Sequence, residues 1–234
     1  MQLSKRLLSV AGMVTSARCL ADVGTDHGYI PIYLVEEGRA AASIAMDVNR
    51  GPLERAEANI RSHGLSSKIM TRLSDGVQAL KEGEADWVVI AGMGGGLVQK
   101  ILREGRDVLE GVERIVLQPQ SELEEVRRFL YGNGYEIEDE EMVLEDGKYY
   151  PMMRVMHARQ EGSLSDLEFM YGPVLLRKRH ECLFKYLEWE QAVLGNVLQG
   201  LVGRDGEPAR ARKCEIEEKL ACAARAKECY YEMR

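Results

Sequence analysis

The strongest constraint on this chain is an alternation of short apolar runs with segments of helical period over its first 160 or so residues. The apolar runs are rich in β-branched residues, and each is followed by Gly, Asp or Pro. Strands that alternate with helices form βαβ units, in which the strands are parallel. We predict strands at residues 19–23, 42–46, 68–73, 87–91 and 114–117, with helices between them.

After Gly134 the pattern changes to two consecutive extended segments, residues 135–144 and 149–158, joined by a short polar turn. This spacing predicts a β-hairpin. Five parallel strands followed by a hairpin form a doubly wound α/β sheet with an antiparallel edge, the Rossmann-like arrangement typical of class I methyltransferases. Ser121 followed by Glu124 also predicts a capping box at the start of the helix before the hairpin.

From about residue 163 the chain has a purely helical pattern. One long helix is predicted after Pro173, with a seam of positions spaced alternately by four and three residues. The seam consists of Leu176, His180, Leu183, Leu187, Glu190, Leu194, Val197 and Leu201. A second helix repeats the alternation after a break at residues 203–208, which predicts an antiparallel coiled-coil hairpin. We therefore assign residues 1–162 to an α/β domain and residues 163–234 to a helical hairpin domain.

Composition limits the classes of partner. The 234 residues include 31 Lys and Arg against 38 Asp and Glu, a net charge of −7, so no overall positive field favours nucleic acid. No apolar run is long enough to cross a membrane, and we expect a cytoplasmic protein. The five cysteines lack the paired spacing of zinc sites, so we predict reduced thiols and no metal. We expect a monomer rather than a dimer, although the helical seam is compatible with dimerisation.

The most informative segment for chemistry is residues 20–29, an apolar strand that leads into a turn containing Gly24 and Gly28. Glycines in such a turn let a ligand approach the backbone at the carboxyl end of the strand. About twenty residues later the second strand ends at Asp47, where a carboxylate can accept both hydroxyls of an adenosine ribose. These two features predict a cofactor that contains adenosine.

The charge of this turn selects among such cofactors. A dinucleotide pyrophosphate would be repelled by Asp26, and the GxGxxG spacing is absent. S-adenosylmethionine has no phosphate and carries two positive groups, so we predict it as the cofactor, with Asp75 suited to its adenine amino group. The residues assigned to cofactor binding are Gly24, Thr25, Asp26, His27, Gly28, Asp47, Val48, Asp75, Gly76, Gly92, Met93 and Gly94.

Four motifs resemble those of the bacterial TrmK-type tRNA (adenine-N1)-methyltransferases. They are DVGTDHGYIPIYL at residues 22–34, AMDVNRGPLERAEANI at 45–60, AGMGG at 91–95 and LQPQ at 117–120. The resemblance spans nearly the whole chain, including the helical hairpin. It implies methylation of N1 of adenine 22 in tRNA, with S-adenosylmethionine as the donor. One departure is Gln120, where the family pattern has Asn.

Adenine N1 has an in-plane lone pair, so methyl transfer to it needs alignment rather than a base. A carboxylate near the exocyclic amine would stabilise the cation that forms, and we predict Asp26 as this catalytic residue. Side chains that could stack on a base, offer an amide or contact phosphate are assigned to tRNA binding. They are Arg6, Tyr29, Asn59, Gln118, Gln120, Arg177, Lys178 and Arg179.

Two alternatives share the same motifs. The glycines and carboxylates fit a methyltransferase for a protein or a small molecule equally well. A cofactor-binding or RNA-binding module without catalysis is also compatible with them. The choice of tRNA as substrate therefore depends on the family resemblance.

Overall fold

The computed structural model of the chain describes residues 2–158, 162–203 and 206–231. The chain divides into two compact units, residues 1–163 and 164–234.

The first unit contains a seven-stranded sheet in the order β3-β2-β1-β4-β5-β7-β6. Strands β1 to β5 are parallel, and β7 pairs antiparallel with both β5 and β6. The predicted parallel sheet with an antiparallel edge hairpin is confirmed. The strands are β1 Ala17–Val23, β2 Ala40–Asp47, β3 Ile69–Leu73, β4 Trp87–Met93, β5 Arg114–Pro119, β6 Tyr135–Glu145 and β7 Lys148–His157.

Helices cover both faces of this sheet. They are α1 Lys5–Met13, α2 Tyr29–Glu36, α3 Arg50–Ser62, α4 Gly95–Glu104, α5 Arg106–Leu109 and α6 Leu123–Gly132. Side chains of α1, α2 and α3 belong to one buried apolar cluster, and those of α4, α5 and α6 belong to another. Strand residues alternate between the clusters, as Val88 and Val89 of β4 do, because successive side chains point to opposite faces.

The strand order reverses between β1 and β4, which lie side by side at the centre of the sheet. After β1 the chain adds β2 and β3 on one side, and it then returns to add β4 and β5 on the other. The loops that follow β1 and β4 therefore run in opposite directions. They leave a crevice at the carboxyl ends of these two strands, which is where ligands bind in open α/β sheets.

The predicted capping box of Ser121 and Glu124 is wrong. Helix α6 starts after Glu122, whose φ is 54°, and no side chain caps it. Ser121 Oγ instead accepts a hydrogen bond from the Gly95 N–H at 3.2 Å, and the Glu122 carboxylate accepts one from the Gly96 N–H at 2.7 Å. Both residues cap α4, because the loops after β4 and β5 are neighbours at the same edge of the sheet.

The second unit contains α7 Asp166–Tyr171, α8 Pro173–Arg177, α9 Glu181–Gly200 and α10 Glu207–Glu228. Helices α9 and α10 pack together with Leu183, Leu187, Ile216 and Ala223 buried. The predicted helical hairpin is confirmed, while Arg204 and Asp205 of the predicted break lie outside the described residues.

The prediction of one long helix after Pro173 is wrong. Helix α8 ends at Arg177, Arg179 has a φ of 51°, and α9 begins only at Glu181. The His180 imidazole accepts a hydrogen bond from the Cys182 N–H at 3.2 Å and so caps the new helix. The spacing of apolar residues nevertheless continues across this break. It reflects which side chains are buried, and residues on both sides of a break can be buried in the same core.

An ion pair is fully buried between α6 and β6. Arg127 Nε lies 2.9 Å from Glu140 Oε1, and the two side chains are 1% and 0% exposed. Glu138, also on β6, pairs with Arg114 and Arg154, each at 2.8 Å. Carboxylates of the acidic segment at residues 136–146 thus attach the edge strand to its neighbours.

We predict that Arg127→Met lowers the free energy of unfolding by about 3–5 kcal/mol, because it leaves the Glu140 carboxylate buried without its partner charge. The double variant Arg127→Met with Glu140→Leu should recover most of this loss, since it removes both charges. Urea denaturation of the three proteins measures the effect. Equal stabilities of the single and double variants would contradict this account.

Candidate active site

A cavity of about 390 Å³ opens at the carboxyl ends of β1 and β4. It lies at the switch point of the strand order. Of the residues assigned from the sequence, the lining includes Arg6, Gly24, Thr25, Asp26, His27, Tyr29, Gly92 and Gln120. Sequence reasoning missed Leu7, Asp22, Ile30 and Ala91.

The turn after β1 is shaped by close backbone packing. Gly24 and Gly28 have φ of 77° and 68°, and Gly28 precedes α2 without a capping side chain. The N–H groups of Gly24 and Thr25 both donate to the Met46 carbonyl, at 2.8 and 2.9 Å. A Cβ at Gly24 would meet Met93 Cε, so any larger residue here would displace the end of the Met93 side chain and adopt a strained positive φ.

Asp26 is held in place by two neighbours. Arg55 of α3 donates a hydrogen bond to one carboxylate oxygen, and His27 Nε2 lies 3.3 Å from the other. The hydrogen bond from Arg55, together with the His27 and Arg55 charges, keeps the pKa of Asp26 below its usual range. The His27 ring stacks on Tyr29 at 5.0 Å between centroids. Asp26 is therefore an ionised carboxylate in a fixed position at neutral pH.

Arg55 was not assigned from the sequence. It lies in the helix after β2, and that helix starts at the same edge of the sheet as the turn that holds Asp26. A basic residue within two turns of that helix start is the sequence feature from which Arg55 could have been predicted. Asn59, one turn further along α3, donates from Nδ2 to the His27 carbonyl at 2.9 Å. Asn59 thus supports the turn and does not line the cavity.

Asp22 is the most perturbed group of the cavity. It is 5% exposed and pairs with Ala45 and Val89 of the flanking strands. Burial raises the pKa of Asp22 to about 6, and the Asp47 charge adds to the rise. No Lys or Arg in the described ranges forms an ion pair with it. An acid within the apolar run at residues 19–23 is the sequence feature from which Asp22 could have been predicted.

Arg6 brings α1 into the site. Its Nη1 donates to Gln118 Oε1 at 3.0 Å, and Gln118 is fully buried at the end of β5. A Cβ at Gly92 would lie 3.6 Å from Arg6 Nη1 and 3.8 Å from Gln120 Nε2. The amides at the end of β5, the glycine at the end of β4 and the guanidinium of α1 therefore converge on one wall.

The remaining assigned residues lie outside the cavity lining. Asp47 ends β2 and accepts a hydrogen bond from the Asn49 N–H at 2.7 Å, and Val48 is exposed. The Asp75 carboxylate lies 3.7 Å from Lys100 Nζ, and Gly76 packs against Ile101.

Two further groups complete the assigned set. Met93 and Gly94 lead from β4 into α4, where Gly94 is the N-cap. In the second unit, Arg177, Lys178 and Arg179 are all exposed around the break between α8 and α9.

A sequence model of the tRNA (adenine(22)-N(1))-methyltransferase family, TrmK, matches residues 20–225. The tRNA (adenine(22)-N(1))-methyltransferase of Bacillus subtilis is 36% identical over 195 residues, which are 82% of this chain and 81% of that protein. The chain belongs to the tRNA (adenine(22)-N(1))-methyltransferase family. The resemblance found in its motifs is thereby confirmed.

Solved structures of similar proteins agree with this membership. A Streptococcus pneumoniae protein in complex with S-adenosyl-L-methionine has a TM-score of 0.85 and 33% identity, over 96% of this chain and 99% of that one. The M. capricolum TrmK in complex with S-adenosyl-homocysteine has a TM-score of 0.84 and 26% identity, over 98% of this chain and 99% of that one.

None of the helices in the described part of the chain is long and apolar enough to cross a membrane. Nor do the residues that the structure describes bring together three or more His, Cys, Asp or Glu side chains that could hold a metal ion.

We predict that the stability of Asp22→Asn depends less on pH than that of the wild type. Because folding raises the pKa of Asp22 from its ordinary 3.8 to about 6, its contribution to stability is fully present only below pH 3.8 and is lost as the pH rises through 6. The free energy of unfolding of the variant, minus that of the wild type, should therefore increase by ~2–3 kcal/mol between about pH 4 and pH 7. Urea denaturation at both pH values measures this difference, and a constant difference would contradict the prediction.

Proposed function

We propose that this chain methylates N1 of adenine 22 in tRNA and takes the methyl group from S-adenosylmethionine. The observation that carries the proposal is the family match, because residues 20–225 include every lining residue of the cavity except Arg6 and Leu7. The B. subtilis relative, which bears the name of this activity, aligns over about four-fifths of both chains, at 82% and 81%.

The cavity fits S-adenosylmethionine by charge. Asp22 is a buried carboxylate without a Lys or Arg partner among the described residues, and an ammonium group beside it would supply the missing positive charge. Asp26 adds a second carboxylate at the same turn. Two acids next to Gly24 suit a cofactor that carries an ammonium and a sulfonium, and they oppose a pyrophosphate. The pneumococcal and M. capricolum relatives hold S-adenosylmethionine and its product, respectively.

The adenosine part of the cofactor would lie over β2 and β3. Asp47, at the end of β2, would accept the ribose hydroxyls, and Asp75, after β3, would accept the adenine amino group. Gly92 and Met93, at the end of β4, would face the methyl-transfer centre. Because β4 lies on the other side of β1 from β2, the cofactor would cross the switch point of the sheet.

S-adenosylmethionine supplies an electrophilic methyl group on a positively charged sulfur. The N1–methyl bond of adenine forms as the sulfur–methyl bond breaks, and the sulfur keeps the bonding electron pair. Positive charge thereby moves onto the purine, and the fixed carboxylate of Asp26 would stabilise it. N1 attacks with its own lone pair, so Asp26 does not have to accept a proton. The low pKa of Asp26 is therefore compatible with this role.

The tRNA would approach the wall opposite the adenosine part. Arg6, Tyr29, Gln118 and Gln120 lie on or beside the cavity and offer a cation, an aromatic ring and two amides. Asn59 would act through the turn that it supports. The exposed cluster of Arg177, Lys178 and Arg179 in the second unit would contact phosphates.

The proposed activity predicts adenine-dependent transfer of labelled methyl groups to tRNA. Unmodified transcripts with adenine at position 22 should yield N1-methyladenosine when digested to nucleosides, and matched transcripts with guanine at that position should not. If the protein binds S-adenosylhomocysteine but transfers no methyl group to either transcript, tRNA is rejected as the substrate.

We also predict that Asp26→Asn lowers kcat roughly 10- to 100-fold, because the amide keeps the shape of the carboxylate but loses its charge. Glu57→Gln is the matched control, since Glu57 is an exposed acid of α3 that pairs with Arg61. Steady-state methyl transfer to tRNA measures both variants. An unchanged kcat in Asp26→Asn would remove Asp26 from the catalytic role.

A further inference from the structure

The edge hairpin of the sheet, beyond β5, has no assigned ligand contact. The cofactor residues lie over β3, β2, β1 and β4, whereas β7 and β6 continue the sheet beyond β5 on the other side. The hairpin of β6 and β7 ends there with Glu145, Lys148 and Tyr150. These three residues have no part in the function described above.

Glu145 attaches the start of α1 to this hairpin. Its carboxylate accepts hydrogen bonds from the backbone N–H of Lys5 at 2.5 Å and of Arg6 at 3.4 Å. A carboxylate at a helix N-terminus also interacts favourably with the helix dipole. The negative charge of Glu145 is therefore directed at the α1 backbone, and the contact fixes where Arg6 lies.

Two cations lie over the ring of Tyr150. The Arg6 guanidinium carbon is 5.7 Å from the centroid of the Tyr150 ring, and Lys148 Nζ is 5.2 Å from it. Tyr150 is partly buried, so its position is supported by the apolar cluster against which it packs. Arg6 also lines the main cavity, which makes Tyr150 a neighbour of that cavity's substrate wall.

Neither cation pairs with a carboxylate in the part of the chain that the structure describes. The only side-chain hydrogen bond of Arg6 there goes to Gln118. Elsewhere in the same unit Arg55, Arg72 and Arg114 each form an ion pair. Two such cations over a partly buried aromatic ring offer the chemistry that binds a nucleotide, because a phosphate can draw the cations from the ring and leave its face to the base.

We propose that Arg6, Lys148 and Tyr150 form a nucleotide subsite that binds an RNA nucleotide next to the methylated adenine. Tyr150 stacks on its base, and Arg6 and Lys148 contact its phosphodiester. The inference rests on the proposed function, because it takes the RNA to be the substrate of the adjoining cavity. A flanking nucleotide held there helps to keep the target adenine out of the tRNA stack.

The stacking contact is tested with Tyr150→Leu and Tyr150→Phe. The dissociation constant for unmodified tRNA is measured with saturating S-adenosylhomocysteine, and the KM for tRNA is measured in methyl transfer. Tyr150→Leu should raise both roughly 5- to 50-fold, because it keeps an apolar side chain but removes the ring. Tyr150→Phe should stay within about twofold of the wild type, and neither variant should change S-adenosylhomocysteine affinity.

The phosphate contacts are tested by the salt dependence of tRNA binding. Arg6→Ala and Lys148→Ala should each reduce the slope of log K against log salt by about 1. The matched control is Arg61→Ala, which removes an exposed arginine of α3 that pairs with Glu57. Its slope should equal that of the wild type.

The outcomes separate the subsite from the proposed function. An unchanged tRNA dissociation constant in Tyr150→Leu, or an equal loss in Tyr150→Phe, overturns stacking on Tyr150. Unchanged salt slopes in Arg6→Ala and Lys148→Ala overturn the phosphate contacts. If the wild type forms no N1-methyladenosine while Tyr150→Leu still weakens tRNA binding, the proposed function fails and the subsite stands.

Discussion

The parallel pairing of β1 with β2 on one side and β4 on the other is the constraint on which the first unit depends. It brings the carboxyl ends of both halves of the sheet to one edge and places the cavity at their junction. It also buries Asp22, since the residue sits between two strands and between two layers of helices. The raised pKa of that acid is thus a consequence of the topology.

Charge is distributed unevenly around this junction. Asp22 and Asp26 lie on the β1 side, where a cationic cofactor fits, and Arg6 and Lys148 lie on the side of β5 and β7, where a polyanion fits. The net charge of −7 conceals this arrangement, because it sums over the whole chain. Local pairing also differs between the cations: Arg55 is bound to Asp26, whereas Arg6 bonds only an amide among the described side chains.

Much of the fold could be predicted from local pattern. The periodicity of strands and helices depends on residues that are close in the chain, and so does the position of the glycines that end the strands. Both can therefore be recognised in the sequence. One failure came where a side chain serves a distant element, since Ser121 caps α4 rather than α6. That contact depends on how elements pack, which the spacing of residues along the chain does not record. The other failure is local: the seam residue His180 caps the helix that begins at the next residue, and the apolar spacing alone does not show that break.

The sequence by itself determined the class of sheet, the acidic turn at Asp26 and, through its motifs, the family. The tertiary structure decided which residues meet. Arg55 reaches Asp26 across 29 residues, and Arg6 reaches Gln118 across 112. The physical reason is that parallel strands gather their carboxyl ends at one edge however far apart they are in the chain, so the composition of the site depends on strand order and not on sequence distance.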